Sequence, residues 1–232
     1  SSDLIDAASP GDVVYVLEGT YSESLLVNKA NLTIKSAFGP VSTTIQGVAA
    51  TGETVRFAAN GVTLDGFTID NLDAADGRAV APGSSIGATI TNNVFVYARR
   101  GIQGDFYGVP TDLTITNNVF SSSVDYGLAG TEGMSLLDLS GNTFETSVEG
   151  IGLGTGVSLT GNPLASPDDF FLLLGDQDFS GLAGGYALKD YRDNTVYVNV
   201  NGSLDDAVDT AVAGDTVVVG AGLYDADAGV TV

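Results

Sequence analysis

One short segment recurs along the chain and limits its fold more than any other feature: VTLDGFTI at 62–69, ATITNNVF at 88–95, LTITNNVF at 113–120, LDLSGNTF at 137–144 and VSLTGNPL at 157–164. Each copy carries apolar residues at its first and third positions, then a polar turn with Asn or Gly, then a short apolar pair. The third positions, Leu64, Ile90, Ile115, Leu139 and Leu159, are 26, 25, 24 and 20 residues apart. A βαβ unit needs about 30 residues or more, so this period leaves no room for a helix in each repeat.

Between the copies runs a second recurrence, Gly101-Ile102, Gly127-Leu128 and Gly150-Ile151, with Ala79-Val80 in the equivalent earlier place. It predicts a third short strand per period. Three strands separated by bends coil into a solenoid whose apolar side chains point inward and stack on those of the next coil, about 4.8 Å away. Asn92-Asn93, Asn117-Asn118, Asn142 and Asn162 fall at matching bends. Asn tolerates left-handed backbone there and can bond its neighbour up the stack, so a turn ladder is expected rather than a binding ladder. Phe67, Phe95, Phe120 and Phe144 are expected at one phase, as an internal stack.

The run ITNNVF, a variable loop and then a Gly-Ile pair resembles NosD-like and other pectin-lyase-like proteins over about residues 10 to 165. The resemblance implies an all-β fold, a right-handed single-stranded parallel β-helix with three short strands per coil and a short helical cap. It implies no single chemistry, because that superfamily holds lyases, hydrolases, epimerases, phage tail proteins, adhesins and surface-layer components.

The two ends of the chain match each other. DAASPGDVVYVLEGTYSESLLVNK (6–29) aligns without gaps on DTAVAGDTVVVGAGLYDADAGVTV (209–232), an offset of 203. Asp6/Asp209, Gly11-Asp12/Gly214-Asp215, Val14/Val217, Val16/Val219, Gly19/Gly222 and Tyr21/Tyr224 are identical. By resemblance this is the opening module of a β-helix, an amphipathic helix followed by PGD-V-V-GTY. The second copy is preceded by VYVNVN, which alternates as a strand, and by Ser203, which can N-cap a helix with Leu204, Ala207, Val208 and Ala211 on its apolar face. The expected organisation is a β-helix with its opening module at 1–164, a cap or hinge at 165–193 and the opening module of a following β-helix at 194–232. On this expectation the chain is a slice of a tandem array, and the copies are one polypeptide or separate subunits. An uncapped solenoid end exposes strand edges and core, so partners are expected to be copies of the chain itself, head to tail. Val196, Val198, Val200, Leu204, Val208, Val217, Val219 and Tyr224 are the expected interface residues.

Charge narrows the remaining classes. Twenty-nine acidic residues against 8 basic ones, with no His, give a formal net charge of −21. Such a chain repels nucleic acid and anionic membranes, and no apolar run approaches the ~20 residues of a membrane span. It has no Cys, hence no disulfide or thiolate chemistry. Its first residues lack the basic and apolar regions of a signal peptide, so a mature fragment of an extracellular or cell-surface protein is expected.

Chemistry-bearing residues are scattered in phase: Asp65, Asp70, Asp73 and Asp76, then Asp105 and Asp112, then Asp125, Glu132 and Asp138. Arg99-Arg100 with Arg78 could line neighbouring coils as a lyase base or sugar-acid clamp, but salt bridges to loop acids are the stronger reading. DNLDAADG (70–77) and DADAG (225–229) cluster oxygen ligands without matching an EF-hand or RTX loop. Asp70, Asp73, Asp76, Asp225 and Asp227 are therefore the candidate calcium ligands. Asn31-Leu32-Thr33 and Asn201-Gly202-Ser203 are formal glycosylation sequons. No catalytic residue is assigned, and the chain is expected not to be an enzyme. The expected function is a structural repeat of an extracellular filament, adhesin or surface layer. The alternative is a polysaccharide lyase or hydrolase, or a glycan-binding tail module.

Overall fold

The computed structural model describes residues 2–48, 52–72, 77–104, 107–121, 126–130, 133–145, 149–153, 157–159, 162–163, 170, 173–175, 177–181, 186–190, 193–198 and 204–221. The chain winds into a right-handed parallel β-helix, as the period demands. Each coil contributes one short strand to each of three parallel sheets. Sheet A runs from Val13–Val16 through Thr33–Ser36, Thr63–Asp65, Thr89–Thr91, Leu113–Thr116 and Ser135–Ser140 to Ser158–Leu159. Sheet B takes Gly19–Ser22, Thr43–Gln46, Thr68–Asp70, Val94–Val96, Val119–Phe120, Thr143–Glu145 and Asp178–Gly181. Sheet C begins with Leu25–Val27, Glu53–Phe57, Arg78–Ala81, Arg100–Gln103, Tyr126–Ala129, Glu149–Leu153 and Tyr186–Asp190.

Strand alternation explains the interior. Leu64, Ile90, Ile115 and Leu139 pair in register along sheet A, and Val80, Ile102, Leu128 and Ile151 along sheet C. All are buried. Fully burying one such side chain is worth about 1.5–3 kcal/mol, so these columns supply much of the fold's driving force. The bends are made by residues that enter the left-handed region: Asn31, Gly61, Gly87 and Asp112 before sheet A, and Gly66, Asn92, Asn117 and Gly141 after it.

The bend after sheet A divides each Asn pair into two jobs. Asn92 and Asn117 take the left-handed backbone, with φ of 55° in both. Asn93 and Asn118 turn inward and are fully buried. The Oδ1 of Asn118 accepts from the backbone N–H of Asn93 at 3.0 Å, and its Nδ2 donates to the Ile90 carbonyl at 2.9 Å. Asn142 repeats this one coil on, serving Asn118 and Ile115. The next rung is not Asn162. Gln177 takes it, its Oε1 accepting from the Asn142 backbone at 3.2 Å and its Nε2 donating to Leu139. Asn162–Pro163 instead pairs antiparallel with Ser158–Leu159.

Two further expectations shift by a few residues. Phe67 does not join the aromatic stack, because the sheet A register places it opposite Asn93, to whose Oδ1 its N–H donates at 3.0 Å. Ile69 pairs with Phe95 instead. The stack is Phe95, Phe120, Phe144 and Phe179, with centroids 4.8, 4.8 and 4.9 Å apart and rings nearly parallel. Leu159 pairs with Leu136 and not Leu139, since Ser135–Ser140 is six residues long and carries an irregularity.

Within 165–193, Asp178–Gly181 extends sheet B and Tyr186–Asp190 extends sheet C. Thr195–Val198 then folds back antiparallel on Tyr186–Asp190. A helix, Leu204–Thr210, leads to Thr216–Val219, which pairs in parallel with Thr195–Val198 and ends sheet C. At the other end the helix Ser2–Ala7 lies over the first coil, with Ile5 buried in the core. These helices are called α1 (Ser2–Ala7) and α2 (Leu204–Thr210).

Candidate functional site

On sheet C each of four coils buries two successive residues, Thr54-Val55, Ala79-Val80, Gly101-Ile102 and Gly127-Leu128. The residues just before these pairs, Glu53, Arg78, Arg100 and Tyr126, form one column in register on four successive coils. Arg56 and Gln103 stand beside it. Arg78, 5% exposed, donates from Nε to the Gln103 Oε1 at 2.5 Å, and Arg100 donates to the same oxygen at 3.2 Å. The Arg56 guanidinium lies 3.6 Å from the centroid of the Tyr107 ring, and the Tyr107 hydroxyl donates to Glu53 at 2.6 Å. That bond to a carboxylate, with burial and the Glu53 charge behind it, pushes the Tyr107 phenol above its ordinary pKa, so it stays a donor. Arg56 Nε is buried with no hydrogen-bond partner among the described residues. Beneath the group, Asn71 Nδ2 donates to the Arg78 carbonyl at 2.9 Å and to Thr54 Oγ1 at 3.1 Å, fixing the bend that presents Arg78.

Three of the chain's 8 basic residues, Arg56, Arg78 and Arg100, thus gather in one network with Gln103, Tyr107 and Glu53. Planar guanidinium forks suit bidentate recognition of carboxylate or sulfate groups, and the Tyr rings suit a sugar face. The sequence reading named Arg78, Arg99 and Arg100 but missed Arg56, Gln103 and Tyr107. Arg56 was available from the alternation of ETVRF, whereas Tyr107 sits in an irregular loop whose path no period fixes. Arg99 lies at the bend before the strand, with its carbonyl bonded by Tyr126.

Of the candidate calcium ligands, Asp70 alone lies among the described residues. The Asp70 carboxylate accepts from Gln46 Nε2 and from the Leu72 N–H, both at 3.1 Å. Asp73, Asp76, Asp225 and Asp227 lie outside the described residues. Among the described residues no group of three acidic side chains is placed to hold a metal.

The matched ends share their local geometry. The Ser9 N–H donates to Asp12 Oδ2 at 2.8 Å, and Val212 donates to Asp215 Oδ2 at 3.0 Å. Gly11 and Gly214 are both left-handed, with φ of 89° and 101°. Val13–Val16 and Thr216–Val219 coincide under the 203-residue offset. Their surroundings differ. Val196 and Val198 are buried with Ala207, against Val217, so the second module is covered by the strand before it. Lys189 reaches Asp215 at 2.8 Å, the two side chains only 9% and 2% exposed. The Lys189 hydrogen bond, helped by the Val212 N–H and opposed by burial, holds the Asp215 carboxyl below its usual range. Of the other expected interface residues, Leu204, Val208 and Val217 are half-buried and Val219 is exposed. Val200 and Tyr224 lie outside the described residues.

No family model and no curated protein matches the chain. Solved structures do. A pectin methylesterase variant in complex with a hexasaccharide is 13% identical, with 85% of this chain and 74% of that one covered and a TM-score of 0.47. Pectin methylesterase from carrot is 14% identical over 95% of this chain and 84% of that one, with a TM-score of 0.40. The ORF18 protein of Geobacillus virus E2 is 15% identical at a TM-score of 0.49, with 87% of this chain covering about half, 51%, of that one. These likenesses correct one expectation: pectin methylesterases are enzymes on this kind of coil, so the fold and its motif-poor surface do not make the chain a non-enzyme. No helix among the described residues is long and apolar enough to cross a membrane.

Proposed function

We propose that the chain engages an acidic polysaccharide along the outer face of sheet C. The carrying observation is the gathering of Arg56, Arg78 and Arg100 with Gln103, Tyr107 and Tyr126 on consecutive coils. Solenoid coils repeat every ~4.8 Å, so a polymer of charged sugars laid along the axis meets cations coil after coil. The net charge of −21 opposes approach at a distance, but at about 0.1 M salt the Debye length is only ~10 Å, which leaves the contact pairs in control. Titration calorimetry with an acidic uronate oligosaccharide tests this. Arg100→Gln and Arg78→Gln should each weaken binding about tenfold, as the loss of one charge-assisted pair requires. Equal binding of an uncharged oligosaccharide of the same length, or no effect of either substitution, would sink the proposal. Chain-length analysis of the sugar after incubation reads whether it is also cut.

The duplicated module favours a second reading, which is compatible with the first. The chain is one link of an extracellular or cell-surface assembly of like solenoids joined end to end, such as a filament, an adhesin stalk or a surface layer. It is supported by the way the second module caps sheet C while repeating the geometry of the first.

A further inference from the structure

The first module carries an open groove that the second module shows how to fill. A cavity of about 420 Å³ is lined by Leu4, Ala7, Ala8, Asp12, Val13 and Val14, with Tyr15 at its rim. Leu4 is 53% exposed. Its counterpart under the offset, Ala207, is fully buried beneath Val196 and Val198. The backbone agrees with the side chains. Thr33 and Ala37 donate to the carbonyls of Asp12 and Val16, so that edge of Val13–Val16 is taken, and the strand ends sheet A. Alternation in a parallel ladder turns the N–H groups of Val13, Tyr15 and Leu17 to the opposite edge. Their counterparts include Thr216 and Gly220, which donate to the carbonyls of Asn194 and Val198 at 3.0 and 2.9 Å. Asp12, lastly, is the counterpart of Asp215, the partner of Lys189.

We infer that this groove takes the hairpin Tyr186–Asp190 and Thr195–Val198 of a second copy of the chain. Thr195–Val198 lies parallel to Val13–Val16, with Val196 and Val198 over Leu4 and Val14, and Lys189 set against Asp12. The arriving module takes the place that α2 and Thr216–Val219 hold in the donor copy, a strand exchange between equivalent elements. The inference rests on the end-to-end reading and names its site and register.

The absence of Cys allows a direct test. In the full chain carrying Val13→Cys and Thr195→Cys, mild oxidation should give a ladder of covalent multimers on a non-reducing gel. Leu26→Cys with Thr195→Cys, whose first position is exposed elsewhere on the coil, should give none. Sedimentation velocity of the unmodified chain should show association, and Leu4→Asp should weaken it at least tenfold. Leu4 is exposed, so that change spares the fold. Association that is indifferent to Leu4→Asp and yields no register-specific cross-link overturns the groove and leaves the end-to-end reading standing. A chain that stays monomeric at every concentration and never cross-links overturns both.

Discussion

A single Asn does two separable things in this fold, depending on which of two adjacent positions it holds. Asn117 supplies left-handed backbone, which Gly supplies as well, whereas Asn118 is a fully satisfied buried amide between three coils. Asn117→Gly should therefore change stability by less than about 0.5 kcal/mol, while Asn118→Ala should cost about 3 kcal/mol, since it orphans the Asn93 N–H and the Ile90 carbonyl. Urea unfolding of both variants checks the contrast, and equal costs would refute it. The Gly-Ile recurrence has a comparably local cause. A Cβ on Gly101 would meet the edge of the Phe120 ring and the Gly127 carbonyl, and one on Gly127 the edge of the Phe144 ring, each at 2.5 Å, so the stacked rings leave no room for a side chain at these glycines. The sequence showed both motifs. It could not show that Phe67 stands one bend early, because an apolar side chain can fill the inward position of the Asn rung and keep the hydrophobic pattern intact.

At the scale of elements, the six central coils were legible because each repeats the same alternation. The C-terminal module was legible as a strand and helix by its match to the first module. Its antiparallel return on Tyr186–Asp190 was not, since nothing in VYVNVN distinguishes the two directions of pairing. What pins that return is the Lys189–Asp215 pair. Asp215 has a lowered pKa, so its contribution is present above the ordinary carboxylate value near 3.9 and is lost as pH falls through the folded value. Lys189→Met leaves Asp215 buried without this cation. At neutral pH, hydrogen exchange in Thr195–Val198 and Thr216–Val219 should then quicken about tenfold or more, with Arg100–Gln103 unchanged. The unsubstituted chain should lose the same protection selectively below about pH 4. A uniform change across all strands would contradict this account.

For the whole molecule, 29 acidic residues on a narrow coil repel one another, and the Lys35–Asp65 bridge, 2.6 Å long with the lysine half exposed, offsets little of that. Raising NaCl from 0.1 to 1 M shortens the screening length from ~10 to ~3 Å and should raise Tm by about 5 °C. Association through the open groove should strengthen over the same range, because two chains of equal sign meet there. A Tm that falls with salt would show that attractive surface pairs dominate instead.

The ladders of all three sheets run along the solenoid axis, and this decides how the coil answers a pull on its two ends. Tension along that axis loads the hydrogen bonds of a rung together and not one after another, so the coil holds until a whole rung parts. The rung that parts is the one whose pairings are both short and irregular. Among the described residues that combination lies beyond Ser135–Ser140, where sheet A narrows to Ser158–Leu159 and the sheet B pairing to Asp178–Gly181 shifts its register. A string of such units under strain would yield first at that seam, link by link, and pay out length while the coils bearing the arginine face stay wound.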